Sequence, residues 1–132
     1  MLKFLFLRIL LIPSKFFNLI QFKLQNVKYE KTLKTYGFLT LINKGKMTIG
    51  NNCTFVSLNI FNMVGLKKKC TIKVYPNSTL KIGNNCGFSG VSIVCQNEIQ
   101  ICDNVTIGGN VSIWDTDFHP LDYYDRREHI QS

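Results

Sequence analysis

The chain has 132 residues, enough for one compact domain and too few for two. Its composition, 45% hydrophobic and 18% charged, excludes a disordered or low-complexity chain. The formal charge of +8 is concentrated in residues 1–46, which hold nine Lys or Arg and one acid, whereas residues 47–132 hold seven of each sign. The basic character therefore belongs to the N-terminal third, and we expect no nucleic-acid partner.

Residues 1–29 form an apolar, basic segment with 18 apolar residues, five basic residues and no acid. Its apolar runs are too short for a membrane-spanning helix or a signal peptide, so we expect neither. The period predicts a helix after Pro13 with two faces. The apolar face carries Phe16, Ile20, Leu24 and Val27, and the other face carries Lys15, Asn18, Gln21 and Gln25. Such a helix either lies in an anionic membrane surface or caps the following domain by packing on its core, and both roles are compatible.

A repeat begins after residue 43. The pentapeptide I-G-N-N-C occupies residues 49–53 and again residues 82–86, and relaxed copies follow at 101–105 and 107–111. From Ile101 the isoleucines recur every six residues, at Ile107 and Ile113. A six-residue step predicts one short strand and one corner per hexad, and three hexads predict one triangular coil.

Stacked coils place like residues above like. We expect the Ile side chains to point inward, with a small Cys or Val four positions later in the same narrow interior. Asn and Gly at the corners tolerate positive φ, and stacked Asn52, Asn85, Asn104 and Asn110 are expected to pair with the backbone of neighbouring coils. Ile49 and Ile82 are 33 residues apart, which is not a multiple of six, so a loop near residues 65–69 must interrupt the coils.

The five cysteines form no C-x-x-C pair and are odd in number. This spacing favours reduced, mostly buried thiols in a cytoplasmic protein and no metal site. The cysteines are Cys53, Cys70, Cys86, Cys95 and Cys102.

Two further motifs give the repeat a family resemblance. After the I-G-G-N-V hexad comes W-D-T-D-F-H-P-L-D at residues 114–122, and G-F-S-G-V-S-I lies at 87–93. Over residues 43–132 the chain resembles the hexapeptide-repeat acyltransferases, in particular those that acetylate sugars of surface polysaccharides. The resemblance implies a left-handed parallel β-helix at 43–114, preceded by a partly helical basic segment at 1–42 and followed by an active-site loop at 115–132.

The resemblance also implies the chemistry. His119 is expected to be the general base that takes the proton from a sugar hydroxyl as it attacks the thioester of acetyl-CoA. Asp117 is the preferred orienting carboxylate, with Asp115 as the alternative. Substrate contacts are expected from Asp115 and Trp114, and from Ser89 and Asn85. The family implies a homotrimer with sites between subunits, a glycan or lipid-linked acceptor and no metal, in the cytoplasm or at the inner membrane face.

The chain departs from the family in two respects. Cys102 stands where the hexad usually has Gly, and Cys95 and Gln96 follow the S-I-V strand where relatives often carry an acidic pair. No further hexads follow His119, so we expect the isolated chain to be poorly soluble or inactive. The alternative interpretations are a truncated, inactive remnant or a non-catalytic solenoid. A zinc hydratase needs three His ligands, and only His119 and the surface residue His129 are present.

Overall fold

The computed structural model describes residues 9, 11–59, 65 and 67–127, and this part of the chain is mainly β. A helix, α1, covers Ile12–Leu24, and a short helix, α2, covers Tyr123–Arg127. Between them lie the strands β1 (Lys28–Tyr29), β2 (Lys34–Tyr36), β3 (Thr40–Asn43), β4 (Lys46–Ile49), β5 (Thr54–Val56), β6 (Thr71–Val74), β7 (Thr79–Ile82), β8 (Gly87–Ser89), β9 (Ser92–Cys95), β10 (Glu98–Ile101), β11 (Thr106–Ile107) and β12 (Ser112–Trp114).

Every third strand joins the same parallel sheet. The three sheets have the strand orders β1-β4-β7-β10, β2-β5-β8-β11 and β3-β6-β9-β12. Each coil therefore contributes one strand to each of three walls, and four coils stack into a three-sided parallel solenoid. The prediction of a mainly β solenoid with triangular coils is confirmed.

Three kinds of corner connect the walls, and they locate the residues discussed below. The first corner follows β1, β4, β7 and β10; the second follows β2, β5, β8 and β11; the third follows β3, β6, β9 and β12. Corners of one kind stack along the solenoid axis.

The interior consists of columns of like side chains. Ile49, Ile82 and Ile101 are register partners in one wall, and each is at least nine-tenths buried. In the second wall the rings of Phe55 and Phe88 stack with centroids 4.7 Å apart. Ile107 and Ile113, on the last coil, pack partly buried against this core. The inward orientation predicted for the isoleucines is thus confirmed.

The first corner depends on a left-handed backbone at asparagine. Asn52, Asn85 and Asn104 have φ values of 55°, 56° and 61°. Their side chains form a ladder, in which Asn52 Nδ2 donates to Asn85 Oδ1 (3.3 Å) and Asn85 Nδ2 donates to Asn104 Oδ1 (3.1 Å). The prediction of positive φ is confirmed, but these amides bond to one another rather than to backbone. Asn110, on a second corner, does bond to backbone, at Gly65 and Lys67.

The solenoid begins earlier than residue 43. Strands β1 and β2 pair with β4 and β5, so residues 28–36 already belong to the first coil. Tyr29 and Thr35 occupy the column positions that Ile49 and Phe55 hold one coil later, so the first coil lacks the isoleucine signal. The expected interruption lies between Val56 and Thr71, the segment that contains residues 65–69.

Helix α1 covers the first coil with a mainly polar face, in which one apolar side chain, Phe22, is also completely buried. Asn18 is completely buried; its Nδ2 donates to Gly37 O (2.8 Å), and its Oδ1 accepts from Leu39 N (3.2 Å). Gln21 and Gln25 continue the same row of bonds along β3. The sequence left two roles open for this helix, a membrane surface or a cap on the following domain. The structure shows that it caps the first coil, and the open edge of β3 explains the polar contacts, because it offers backbone groups that need polar partners. No helix in the described residues is both long and apolar enough to cross a bilayer.

Four cysteines are buried and one, Cys102, is exposed, and all five are unpaired thiols. The prediction of mostly buried, reduced cysteines agrees with this arrangement. Cys102 replaces the hexad glycine on the last described coil. At Gly83, one coil earlier, a Cβ would lie 2.9 Å from the Cys102 carbonyl carbon, so that corner has room only for glycine.

Candidate active site

The D-T-D-F-H-P-L segment, residues 115–121, forms a loop at the third corner that follows β12. Asp122 begins α2, since its Oδ1 accepts from Tyr124 N at 2.8 Å. Arg126 Nε donates back to Pro120 O at 3.0 Å. These bonds fold the end of the loop back on itself and make it one wall of a groove.

The groove has a volume of about 420 Å³ and lies between the loop and the preceding coil. Its surroundings are mostly polar. It is lined by Tyr75, Gln96, Asn97, Asp115, Thr116, Asp117, Phe118, His119, Pro120 and Leu121. Three of the predicted site residues, His119, Asp117 and Asp115, are therefore brought together.

His119 lies in this groove with an exposed side chain. The preceding residue, Phe118, has φ of 61°, a left-handed conformation that is unusual for a bulky side chain. Thr116 supports this turn, because its Oγ1 accepts from Phe118 N at 3.1 Å. The left-handed turn therefore lies immediately before His119 in the wall of the groove.

Asp115 is bound to the coil beneath it. Its Oδ1 accepts from Gln96 N at 2.6 Å, and its Oδ2 accepts from Asn97 N at 2.8 Å. Burial pushes the pKa of Asp115 upward, but these backbone donors outweigh it and hold the pKa below the ordinary value of 3.8. Both carboxylate oxygens are engaged in holding the loop to the solenoid.

Cys95 lies directly below Asp115, with its Sγ 3.9 Å from Asp115 Oδ2. Burial, and secondly the negative charge of Asp115, raises the pKa of this thiol. The sulfur is therefore kept protonated, and it also donates to Thr79 O at 3.3 Å. Its environment is that of a packed structural thiol and not of a nucleophile.

Asp117 is exposed in the groove, two residues from His119. Among the described residues, neither Asp117 nor Asp115 hydrogen-bonds to His119. Trp114 does not line the groove; its half-exposed ring meets Phe118 edge-to-face, with centroids 5.6 Å apart. The contact makes Trp114 a support for the left-handed turn.

The other two predicted substrate contacts lie elsewhere in the same chain. Asn85 is at a first corner, in the asparagine ladder. Ser89 ends β8 beside a second corner and is 9% exposed. The groove is at a third corner, so the solenoid separates these three features on its three edges. His129 lies outside the described residues.

Sequence reasoning did not select Tyr75, although it lines the groove from two coils below the loop. Its hydroxyl accepts a 2.9 Å hydrogen bond from Lys73 Nζ. Sequence reasoning noted Gln96 only as a replacement within an acidic pair and did not single out Asn97, yet both line the groove. These residues could be found only from the register between β9 and β12. Ser112 pairs with Ser92, which places residue 115 above residues 95–97.

In the described part of the chain, no group of three His, Cys, Asp or Glu side chains is close enough to hold a metal ion. The groove thus offers one imidazole, one exposed carboxylate, two amides and a phenol. This set is suited to hydrogen-bonding a polyhydroxyl ligand and to moving one proton.

Comparison with known proteins leaves the chain without an assigned family: no family model, no curated protein and no solved structure matches it. The class defined by the structure is therefore the three-sided parallel β-solenoid with a polar groove at one corner.

Proposed function

We propose that this protein is an acyltransferase that moves an acetyl group from acetyl-CoA to a sugar hydroxyl during synthesis of a surface polysaccharide. The observation that carries the proposal is the exposed imidazole of His119 in a groove of amide, carboxylate and phenol groups. The hexad repeat and the D-T-D-F-H-P-L run, which resemble those of the polysaccharide acetyltransferases, supply the reaction class. We extend the proposal to the left-handed winding of that family.

In the proposed reaction, the unprotonated nitrogen of His119 accepts the proton of the sugar hydroxyl. The oxygen attacks the thioester carbonyl, the carbon–sulfur bond breaks, and the imidazolium returns the proton to the departing thiolate. An ester and free CoA result, so atoms and charges balance. A positioned base of this kind is worth about 10²–10⁴ in rate.

Asp117 is proposed as the residue that orients the imidazole, because both oxygens of Asp115 already bind backbone. Asp115 then serves the site by anchoring the loop, and Trp114 by supporting Phe118. Asn85 lies on another edge of the solenoid, so it can meet the groove of His119 only across an interface between copies. This geometry is compatible with the proposed homotrimer.

The test compares surface-glycan acetylation in cells carrying the wild-type gene, His119→Ala or Lys68→Ala. Lys68 is an exposed residue of the segment between β5 and β6, and its substitution is the matched control. Mass spectrometry is expected to show loss of acetyl esters with His119→Ala and full acetylation with Lys68→Ala. Unchanged acetylation with His119→Ala removes the assigned base.

A non-catalytic solenoid module is the second candidate, and one observation favours it: no carboxylate in the described residues holds the imidazole of His119. The same experiment separates the two candidates. Glycan acetylation that is identical with and without the wild-type gene, while the purified protein is folded by circular dichroism, favours the module.

A further inference from the structure

The apolar face of helix α1 is turned away from the solenoid. Because Asn18, Gln21 and Gln25 face the edge of β3, the residues on the opposite side of the helix point outward. Phe16 is 66% exposed and Leu24 is 77% exposed. We call this surface the outer face. It consists of the exposed residues Ile12, Phe16, Phe17, Ile20 and Leu24 of α1, together with Ile9, which precedes the helix, and Phe38, which packs edge-to-face on Phe17 at 5.4 Å.

The exposure of the apolar stripe of α1 is unusual for a helix packed on a domain. A surface helix of a globular protein normally buries its apolar stripe and exposes its polar one. Here the amide stripe is fixed by side-chain bonds to the backbone of the first coil, which leaves the apolar side chains of the opposite stripe exposed in the described part of the chain. A surface of this kind indicates a binding site.

The charge around the outer face selects the partner. Lys15 and Lys23 are exposed on the helix itself, and Lys28 and Lys31 follow it. Glu30 is the single acid among residues 1–46, against nine Lys or Arg. A second copy of this face would bring two cationic surfaces together, which disfavours self-association. An anionic lipid surface accepts both the apolar side chains and the surrounding positive charge.

We propose that the outer face of α1 binds the surface of an anionic membrane, with Phe16, Ile20 and Leu24 inserted at the headgroup level and Lys15 and Lys23 on lipid phosphates. The helix lies in the interface plane; its 13 residues do not span the bilayer. The first coil sits on the helix, and the groove opens between the third coil and the loop after the fourth. Bound protein therefore keeps the groove in solution, roughly 14 Å further along the axis at about 4.8 Å per coil.

The experiment is flotation of the full chain with vesicles of phosphatidylcholine, alone or in an equal mixture with phosphatidylglycerol. The wild-type protein is expected to float with the mixed vesicles and far less with the neutral ones. Leu24→Gln is expected to lower the partition coefficient about tenfold, because an inserted apolar side chain is lost. The control is Leu121→Gln, which changes the same residue type at nearly the same exposure, 78%, far from α1, and is expected to bind like wild type.

A second pair of variants tests the charge. Lys15→Gln and Lys23→Gln are each expected to weaken binding to the mixed vesicles about fivefold, with no effect on neutral ones. The double variant of Lys68→Gln and Lys69→Gln, in the segment between β5 and β6, is the control. Added salt is expected to weaken binding by wild type and to reduce the difference between variants.

Three results would overturn the proposal. The first is absence of wild-type flotation with mixed vesicles, and the second is an equal loss with Leu24→Gln and Leu121→Gln. The third is sedimentation in which Leu24→Gln converts an oligomer to a monomer while vesicle binding is unchanged, which makes the outer face an interface between copies. None of these measurements uses acetyl transfer, so their outcome is independent of the proposed enzymatic function.

Discussion

The carboxylate of Asp115 accepts a 2.6 Å hydrogen bond from the backbone N–H of Gln96, one coil below it. Together with the bond from the N–H of Asn97 to the other carboxylate oxygen, this contact holds the loop that carries His119 on the solenoid. The first acid of the D-T-D run is thus a structural anchor, whereas the second, Asp117, is exposed in the groove. The two aspartates differ because only Asp115 lies above the corner after β9. There the N–H groups of Gln96 and Asn97 point at its carboxylate.

Removing this anchor is expected to destabilise the protein modestly. Asp115→Ala removes the acceptor of the N–H groups of Gln96 and Asn97, which water can then partly replace. We therefore expect the free energy of unfolding to fall by about 1 kcal/mol. Asp117→Ala is the matched control, expected to change it by less than about 0.5 kcal/mol. Urea denaturation followed by circular dichroism measures both. Equal losses in the two variants would contradict the assigned difference.

The same anchor predicts a pH dependence. Because the folded pKa of Asp115 lies below 3.8, its carboxylate stabilises the fold fully above that value and loses this contribution as the pH falls through the folded pKa. The difference in free energy of unfolding between wild type and Asp115→Ala is therefore expected to narrow from neutral pH to below 3.8. A difference that stays constant over this range would show that the charge contributes nothing.

Asn85 is predicted to act through its backbone conformation and its ladder bonds. At φ of 56°, an alanine is strained by about 1 kcal/mol, whereas glycine is not. Asn85→Ala is therefore expected to destabilise the fold by about 1 kcal/mol more than Asn85→Gly, as measured by urea denaturation. Both variants lose the bonds to Asn52 and Asn104, so only the backbone distinguishes them. Equal losses would mean that the left-handed conformation carries no cost.

The parts of the fold that the sequence predicts are those that repeat. Each Ile-x-x-Asn hexad places one isoleucine inward and one asparagine at a left-handed corner. Stacking of the hexads turns these positions into columns, so the walls follow directly from the pattern. The first coil is not predicted from the repeat, because Tyr29 and Thr35 occupy its column positions and do not match the Ile-x-x-Asn pattern. The orientation of α1 is not predicted for another reason. A helical period reveals two faces, but burial here is decided by backbone groups at and just before the open edge of β3, which lie 16 to 21 positions along the chain from their partners in and after α1.

The candidate site divides in the same way. A local run of residues identifies His119, Asp117 and Asp115, and the structure places all three on one groove. Tyr75, Gln96 and Asn97 come from earlier coils, so only the register brings them there. Coil length varies, since Thr48 pairs with Lys81 across 33 residues while Gln100 pairs with Lys81 across 19. A fixed period therefore does not predict the floor of the groove.

Close coil stacking predicts a contrast between two glycines. At Gly83 an added Cβ would lie 2.8 Å from Asp103 N, whereas at Gly108 no atom lies within 4 Å. Gly83→Ala is expected to lower the free energy of unfolding by about 1–3 kcal/mol through overpacking, and Gly108→Ala to leave it within about 0.5 kcal/mol. Thermal melting of both variants measures the contrast. Equal melting temperatures would show that the corner opens without cost.

The last prediction concerns which face of α1 holds it to the solenoid. Asn18 is fully buried and bonds to both Gly37 O and Leu39 N. Asn18→Ala leaves both backbone groups without partners, and we expect a loss of about 3 kcal/mol in the free energy of unfolding, because buried unsatisfied groups are costly. Phe16→Ala is the matched control on the opposite face, expected to change it by less than about 0.5 kcal/mol, since Phe16 is two-thirds exposed. Hydrogen exchange should show the Leu39 amide losing protection in Asn18→Ala alone. If Phe16→Ala were the more damaging variant, the helix would be held by its apolar face, and the membrane-binding surface proposed above would be buried instead.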